Sequence, residues 1–466
     1  MTKGLSPQLS KIIESYPAVF QNPPHASQIP NRIEDMKIEV KNEANVKQRP
    51  LGRLSDMERK ALKEFITELL NSGKIRISNS SYGANILFAK KSDGGLRLVC
   101  DYRSLNAETV RDQTPLISHA VMRERIRGCK YISKLDIRDA FHSILVCEED
   151  RAKTAFKTEF GLFEYTVCPF GLANSPATFI RLMNRVFAGT EAFVIHYVDD
   201  ILIFSNSEKE HHRHIEEVLS RLQNHQLYVK LSKCIFEKTE LSFCGVKVNS
   251  DGVQMDQEAI KAMCEYPQID SFKAIQSFLG SVRFFAEFIP WLGDIAFPLF
   301  QLTKKEVVTT CQFKEEWTEL HQMAVRAIQF HLTNSTTLNF FNPDYITTVH
   351  SDASDFAIGG WIGQKKDDSS IEQVVTYWSR QLIPAERNYP THEKEFLAMY
   401  ATIVKHRHHL FGHKFTAEVD HCALEHLATQ PHLRPRQIRW ILELQEFDFT
   451  TKYCTGESNT FADWLS

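Results

Sequence analysis

The run Tyr197-Val198-Asp199-Asp200, set between the apolar stretches Phe193-Val194-Ile195 and Ile201-Leu202-Ile203-Phe204, constrains this chain more than any other feature. Its flanks read as two buried strands. A hairpin joining them puts adjacent carboxylates at its tip, where they suit a divalent cation bound to phosphate. Asp also favours tight turns for purely local reasons, so the pair alone leaves turn chemistry and metal chemistry both open. A third carboxylate shifts the balance. Leu135-Asp136-Ile137 ends another strand-like stretch, Tyr131 to Ile137, ahead of the helix-compatible Asp139-Ala140-Phe141. Three acids on neighbouring strand ends are what two-metal phosphoryl transfer requires.

A chain of 466 residues is too long for one small core and should divide into several domains. The net charge of −3 announces no nucleic-acid partner, so any phosphate-tracking surface must come from local clusters of Lys and Arg. Arg123, Arg125, Arg127, Lys130 and Lys134 form one such cluster and Arg434, Arg436 and Arg439 another; a solvated helix face is the ordinary alternative for both. The ten cysteines contain no C-x-x-C pair, which argues against a zinc finger and against a secreted disulfide framework. No apolar stretch approaches membrane-spanning length and no signal peptide is evident, so a soluble, intracellular protein is expected. His211, His212 and His214 lie on a polar helical run, Glu208 to Leu222, with no Cys or acidic ligand at a closed spacing, and read as a solvated face. His406, His408, His409 and His413 read similarly, with an aromatic-flanked basic face near nucleic acid as the alternative.

Along the chain, residues 1 to 50 mix a short helix with a Pro/Asn-rich loop and look like a lead-in. Ser55 offers an N-cap for a helix through Leu70, stopped by Gly73. Ile86 to Ala89 and Leu96 to Cys100 read as a hairpin with Lys90 and Lys91 at its base. Strand Phe163 to Val167 precedes Pro169-Phe170-Gly171-Leu172-Ala173-Asn174-Ser175-Pro176 and a helix from Ala177 to Phe187. Helices follow from Asp256 and from Phe272 to Phe288, and Asn342-Pro343-Asp344 marks a boundary. From Tyr345 strands, a long helix Thr391 to Leu410 and further strands predict a mixed α/β unit. In that unit Asp352, Glu395, Asp420 and Asp463 fall at or within separate elements, and four converging acids would repel one another unless they shared cations.

These strings together resemble the reverse transcriptase and RNase H segment of gypsy-type long-terminal-repeat retrotransposons, over nearly the whole chain. The carrying motifs are Phe88-Ala89-Lys90-Lys91, Leu96-Arg97-Leu98-Val99-Cys100-Asp101-Tyr102-Arg103-Ser104-Leu105-Asn106, Leu135-Asp136-Ile137 to Phe141-His142, and Pro169-Phe170-Gly171-Leu172. They continue with Tyr197-Val198-Asp199-Asp200, Phe278-Leu279-Gly280, Asp352-Ala353-Ser354, Glu393-Lys394-Glu395, Val419-Asp420-His421 and Ala462-Asp463. The resemblance implies an α+β multidomain fold: a right-hand polymerase of fingers, palm and thumb, then an RNase H-like α/β domain. The expected bounds are a lead-in over 1–50, fingers and palm over 51–248, thumb over 249–300, a connecting segment over 301–345 and RNase H over 346–466.

The resemblance also implies roles. Asp136 and Asp199, with Asp200 beside them, would hold two Mg²⁺ ions, with Mn²⁺ as a substitute, for DNA synthesis on RNA or DNA templates. Arg97, Lys91 and Lys90 would clamp the incoming triphosphate. Phe141 would sit under the sugar and exclude a 2′-hydroxyl, with plain core packing as its alternative. Asp352, Glu395, Asp420 and Asp463 would hold two Mg²⁺ for cleavage of the RNA strand of a hybrid. Tyr453 stands where many RNases H present a His, and Arg283-Phe284-Phe285-Ala286-Glu287-Phe288 departs from the usual cationic thumb string. The implied partners are template-primer nucleic acid, RNA/DNA hybrid and dNTPs, with an asymmetric homodimer on substrate left open. The implied location is cytoplasmic, within virus-like particles, and the chain would be one portion of a longer polyprotein. A catalytically silent subunit or domesticated copy, and a pararetroviral enzyme, are the alternatives; all seven acids being present speaks against the silent copy.

Overall fold

Tyr131–Asp136 and Asp200–Ser205 alternate so that Ser133, Leu135, Ile201 and Ile203 take one face of a strand pair and Lys134, Asp136 and Asp200 the other. The computed structural model describes residues 5–46, 50–90, 96–117, 119–265, 269–310, 312–368, 370–419 and 433–453. The chain divides into two compact units, Met1–Thr239 and Glu240–Ser466.

In the first unit, β1 (Ile75–Ile77), β6 (Gly161–Tyr165) and β5 (Phe156–Thr158) make a three-stranded sheet, and β2 (Ile86–Lys90) pairs with β3 (Leu96–Cys100). The main sheet has the order β7 (Val194–Tyr197), β8 (Asp200–Ser205), β4 (Tyr131–Asp136), β9 (Ile235–Lys238), all antiparallel. Leu135, Ile201 and Ile203 share one core with Ile215, Val218 and Leu219 of the Glu208–Asn224 helix and Phe179, Leu182 and Met183 of the Ser175–Val186 helix. Each such fully buried side chain contributes about 1.5–3 kcal/mol, and truncating Leu219 to Ala would cost about 2–5 kcal/mol. The Asp56–Asn71 helix starts with the expected cap: the Ser55 hydroxyl accepts from Glu58 N–H at 3.3 Å, and Glu58 Oε2 accepts from Ser55 N–H at 2.8 Å.

His211 and His212 are buried rather than on the expected solvated face, because the strands β4, β8 and β9 supply their partners. His211 Nε2 lies 2.7 Å from Ser133 Oγ and its Nδ1 2.9 Å from Ser205 Oγ, so one imidazole links the helix to both central strands. The long helix predicted to reach Leu410 ends at Lys405, and Arg407–Leu410 follows as a separate turn. His406 between them is buried, with Nδ1 2.9 Å from the Thr402 carbonyl.

In the second unit, β10 (Leu241–Phe243), β11 (Val246–Val248), β12 (Gly252–Met255) and β13 (Leu338–Asn339) form an antiparallel sheet. A five-stranded sheet has the order β16 (Gln373–Gln381), β15 (Ala357–Lys365), β14 (Ile346–Ala353), β17 (Lys414–Val419), β18 (Asp448–Tyr453). Its first three strands are antiparallel, whereas β14, β17 and β18 run parallel. The Thr391–Lys405 helix covers it, Phe396, Met399 and Ile403 packing on Val349 and Ile362. The short Leu292–Ile295 helix also docks on this sheet, and Gly293 N–H donates to Ser379 Oγ at 2.8 Å. A Cβ on Gly359 would lie 2.9 Å from the Trp291 ring, so the approach requires glycine there.

Candidate active sites

Asp136 and Asp200 are direct cross-strand partners at the end of the β4–β8 pair. Tyr197 pairs with Asp200, leaving Val198 and Asp199 as a two-residue turn, and Ile137 N–H donates to the Asp199 carbonyl at 2.9 Å. Such turns need a positive φ at their first position. Val198 supplies it at 53°, a costly conformation for a β-branched residue that holds the exposed Asp199 at the tip. All three acids therefore share one end of the strand pair.

Two lysines absent from the sequence reading of this site serve the acids. Lys134 Nζ lies 2.7 Å from Asp200 Oδ2, and Lys233 Nζ lies 2.9 Å from Asp136 Oδ2. Burial pushes the Asp200 carboxyl above its usual range; Lys134 opposes that shift, while the charges of Asp199 and Asp136 add to it. The bond to Asp136 raises the Lys233 ammonium. Charge-accepting acids this close together are matched to cations, which is the chemistry a hard divalent metal also satisfies. The alternation of β4 was the available signal for Lys134, two residues before Asp136. Nothing local marked Lys233.

Phe141 opens a short 3₁₀ turn five residues after Asp136 and is partly buried. Its ring meets Phe170 edge-on at 5.2 Å and Phe179 at 6.0 Å, so it joins the Asp136 segment to the Pro169-Phe170-Gly171 platform. Asn106 clasps that platform: its Nδ2 donates to the Gly171 carbonyl at 2.8 Å and its Oδ1 accepts from Ala173 N–H at 2.8 Å. Lys90 pairs with Leu96 and Arg97 with Ala89 in the β2–β3 ladder, and Lys91 lies outside the described residues.

In the second unit, Asp352 lies one residue from the end of β14, opposite Gly359. Glu395 lies in the first turn and a half of the Thr391–Lys405 helix and is 5% exposed. Their neighbours Ala353, Leu397 and Ala398 belong to one apolar cluster, so the strand end and the helix start are packed together. Between them runs the turn Ser354-Asp355: Asp294 accepts from the Ser354 hydroxyl, and Lys394 Nζ lies 2.7 Å from Asp355 Oδ1.

Glu393, two residues from Glu395, is differently employed. It is 1% exposed and takes Arg436 Nε at 2.9 Å and Arg434 Nε at 3.2 Å, with the Arg436 guanidinium 3.9 Å above the Tyr389 ring. Arg436 of the C-terminal basic cluster is thus committed to a buried carboxylate, while Arg434 reaches the same carboxylate from an exposed position. Tyr453 ends β18 beside Val419 and is 40% exposed. Asp420 and Asp463 lie outside the described residues. Among the described residues no helix is long and apolar enough to cross a membrane.

Comparison with known proteins follows the same division. Residues 89–248 match the family model for "Reverse transcriptase (RNA-dependent DNA polymerase)", and residues 342–447 that for "RNase H-like domain found in reverse transcriptase". The chain is 34% identical over 412 residues to the Transposon Tf2-3 and Tf2-7 polyproteins of Schizosaccharomyces pombe, covering 87% of this chain. It spans 30% of the length of those relatives. Among solved structures, a foamy viral protease-reverse transcriptase in complex with RNA/DNA hybrid superposes with a TM-score of 0.74 at 22% identity, over 97% of this chain and 61% of that one. Another, in complex with dsDNA, gives 0.77 at 22% identity over 96% and 93%. At that identity the likeness concerns the fold. The family implies divalent metals. The chain belongs to the reverse transcriptases of gypsy-type long-terminal-repeat retrotransposons, its polymerase fold followed by an RNase H-like domain.

Proposed function

We propose that the chain is a bifunctional enzyme, an RNA- and DNA-directed DNA polymerase coupled to a ribonuclease that degrades the RNA strand of RNA/DNA hybrids. The observation that carries this reading is the direct pairing of Asp136 with Asp200, with Asp199 in the adjoining turn. In the polymerase reaction the primer 3′-hydroxyl gives up its proton to solvent and its oxygen attacks the α-phosphorus of a dNTP, the bond to the bridging oxygen breaks, and pyrophosphate leaves with the electron pair. Asp136, Asp199 and Asp200 would hold two Mg²⁺ ions, which when bound would supply Lewis-acid stabilisation to the charge that develops on the reacting oxygens. The donor set fits, since hard carboxylate oxygens gathered against cations are what Mg²⁺ takes. The chain's own contribution is position: the strand pair fixes Asp136 against Asp200, the Val198 turn presents Asp199, and Lys90, Lys91 and Arg97 clamp the triphosphate.

Phe141, buttressed by Phe170 and Phe179, is the floor under the sugar that excludes a 2′-hydroxyl. In the second unit Asp352, Glu395, Asp420 and Asp463 would hold the cations that support water attack on the RNA strand, and contacts to the 2′-hydroxyl would select RNA. Tyr453 is the accessory group near that site. Template-primer, RNA/DNA hybrid and dNTPs are the ligands, an asymmetric homodimer on substrate is the proposed assembly, and a virus-like particle the proposed setting.

The test is a pair of assays on one preparation. Asp199→Asn should lower Mg²⁺-dependent primer extension by at least a thousandfold, a loss of about 4 kcal/mol of transition-state stabilisation, while hybrid cleavage persists. Normal extension by this variant would refute the assignment.

A further inference from the structure

We propose that Glu208, His212 and Glu237 form a binding site for one transition-metal dication, Zn²⁺ being the best fit, on the face of the main sheet opposite the polymerase acids. The three side chains come from two elements: Glu208 and His212 stand one turn apart on the Glu208–Asn224 helix, and Glu237 comes from β9. Their nearest ligand atoms all lie within 4.8 Å of one another. The face is set by strand alternation. Ser133, bonded to His211 of the same helix, and Lys134, bonded to Asp200, are neighbours on β4 and therefore point to opposite sides.

Charge argues for a cation. Asp136 and Asp200 each have a lysine within 3 Å, but among the described residues the two carboxylates here have none. Glu237 shares a hydrogen bond with His212 and accepts from the Ser6 hydroxyl at 2.9 Å, and Glu208 makes no hydrogen bond or ion pair among the described residues. A dication bound by two carboxylates and a neutral imidazole leaves the cluster uncharged. A protonated His212 would compensate only one of the two carboxylates.

Ligand chemistry selects the metal. A nitrogen donor beside two carboxylate oxygens suits Zn²⁺ better than Mg²⁺, which prefers oxygen alone. Ligands about 2.1 Å from a tetrahedral ion stand about 3.4 Å from each other, so closing the site requires that the exposed Glu208 swing inward and that the ion take the place of the His212–Glu237 hydrogen bond, the two groups moving apart to admit it. Three protein ligands leave a fourth position for water, and the Ser6 bond to Glu237 orients that carboxylate as outer partners of metal ligands do. His212 is 4% exposed, so its nitrogen is already desolvated and held in place. The bound ion would tie the start of the helix to the edge strand of the sheet, a stabilising role separate from either proposed reaction.

The full chain, stripped with EDTA and returned to excess Mg²⁺ to fill the catalytic carboxylates, should be titrated with Zn²⁺ calorimetrically and melted with and without it. Glu208→Gln is the primary variant because an exposed side chain tolerates the change without loss of fold; Glu237→Gln is the second. The wild type should take up one more Zn²⁺ than Glu208→Gln, or bind it at least tenfold more tightly, and only the wild type should gain thermal stability from it. Primer extension by Glu208→Gln should be unchanged, so the result is independent of the polymerase reading. Equal stoichiometry, affinity and melting shift in wild type and Glu208→Gln would overturn the site and leave an ordinary His212–Glu237 ion pair.

Discussion

Lys134 Nζ lies 2.7 Å from Asp200 Oδ2, joining the two central strands of the first unit at the spot where Asp136 and Asp200 face each other. Both side chains are about four-fifths buried, each being 21% exposed, so the lysine opposes the upward push that burial gives the Asp200 carboxyl. Lys134→Met should therefore destabilise the metal-free protein by about 1–3 kcal/mol, the cost of leaving a desolvated polar group without its partner. Mg²⁺ at millimolar concentration should restore most of the deficit by supplying positive charge to the same acids. Thermal melts with and without Mg²⁺ measure both; a deficit that Mg²⁺ does not touch would show that Lys134 and the metal serve different groups.

Glu393 and Glu395 should separate cleanly. Glu395→Gln removes a proposed metal ligand and should abolish hybrid cleavage while primer extension and the melting temperature stay near wild type. Glu393→Gln leaves Arg436 facing a neutral amide, while the exposed Arg434 can turn to solvent, and should cost about 1–3 kcal/mol of stability. Persistent cleavage by Glu395→Gln, in a protein that still melts normally, would remove it from the metal site.

Replacing Phe141 with Val should let ribonucleotides into the extended strand, lowering the preference for dNTPs over rNTPs at least tenfold, as competition in primer extension reports. The edge contacts with Phe170 and Phe179 would be lost as well, so some loss of stability is expected in either case. A less stable protein with unchanged sugar selection would make Phe141 a packing residue only.

Acid should weaken the first unit through His211. Burial holds this imidazole down to about 4, against 6.5 when unfolded, so below pH 6.5 the unfolded chain binds a proton that the native one refuses. Stability is fully present above pH 6.5 and falls by about 1.4 kcal/mol per pH unit on the way down to pH 4, where the folded form also takes the proton. His211→Gln should be less stable at pH 7.5 but lose less between pH 6.5 and 5, as urea midpoints at each pH will register. Parallel losses in the two proteins would mean that another group titrates.

Much of the first site was legible because its signals are local. Alternation around Tyr197-Val198-Asp199-Asp200 implied a hairpin with its acids at the tip, and Ser55 caps the helix it was expected to start. What stayed hidden depends on partners far away in the chain. Polarity counted along Glu208 to Leu222 made His211 look solvated, whereas Ser133 and Ser205, 78 and 6 residues away, make its burial affordable. Arg436 looked like part of a surface patch because its carboxylate partner is 43 residues upstream. Lys233 reaches Asp136 from 97 residues away. Periodicity carries no information about such pairings.

The docking of Leu292–Ile295 on β15 and β16 bears on where the nuclease module begins. Trp291 roofs Gly359, Gly293 is hydrogen-bonded to Ser379, and Asp294 grips the turn that follows Asp352. A fragment cut at Tyr345 would strip that roof and bare the glycine-lined strand surface beneath it. The smallest independently stable ribonuclease piece should accordingly start ahead of Trp291, some fifty residues earlier than a boundary drawn at the first strand of the sheet.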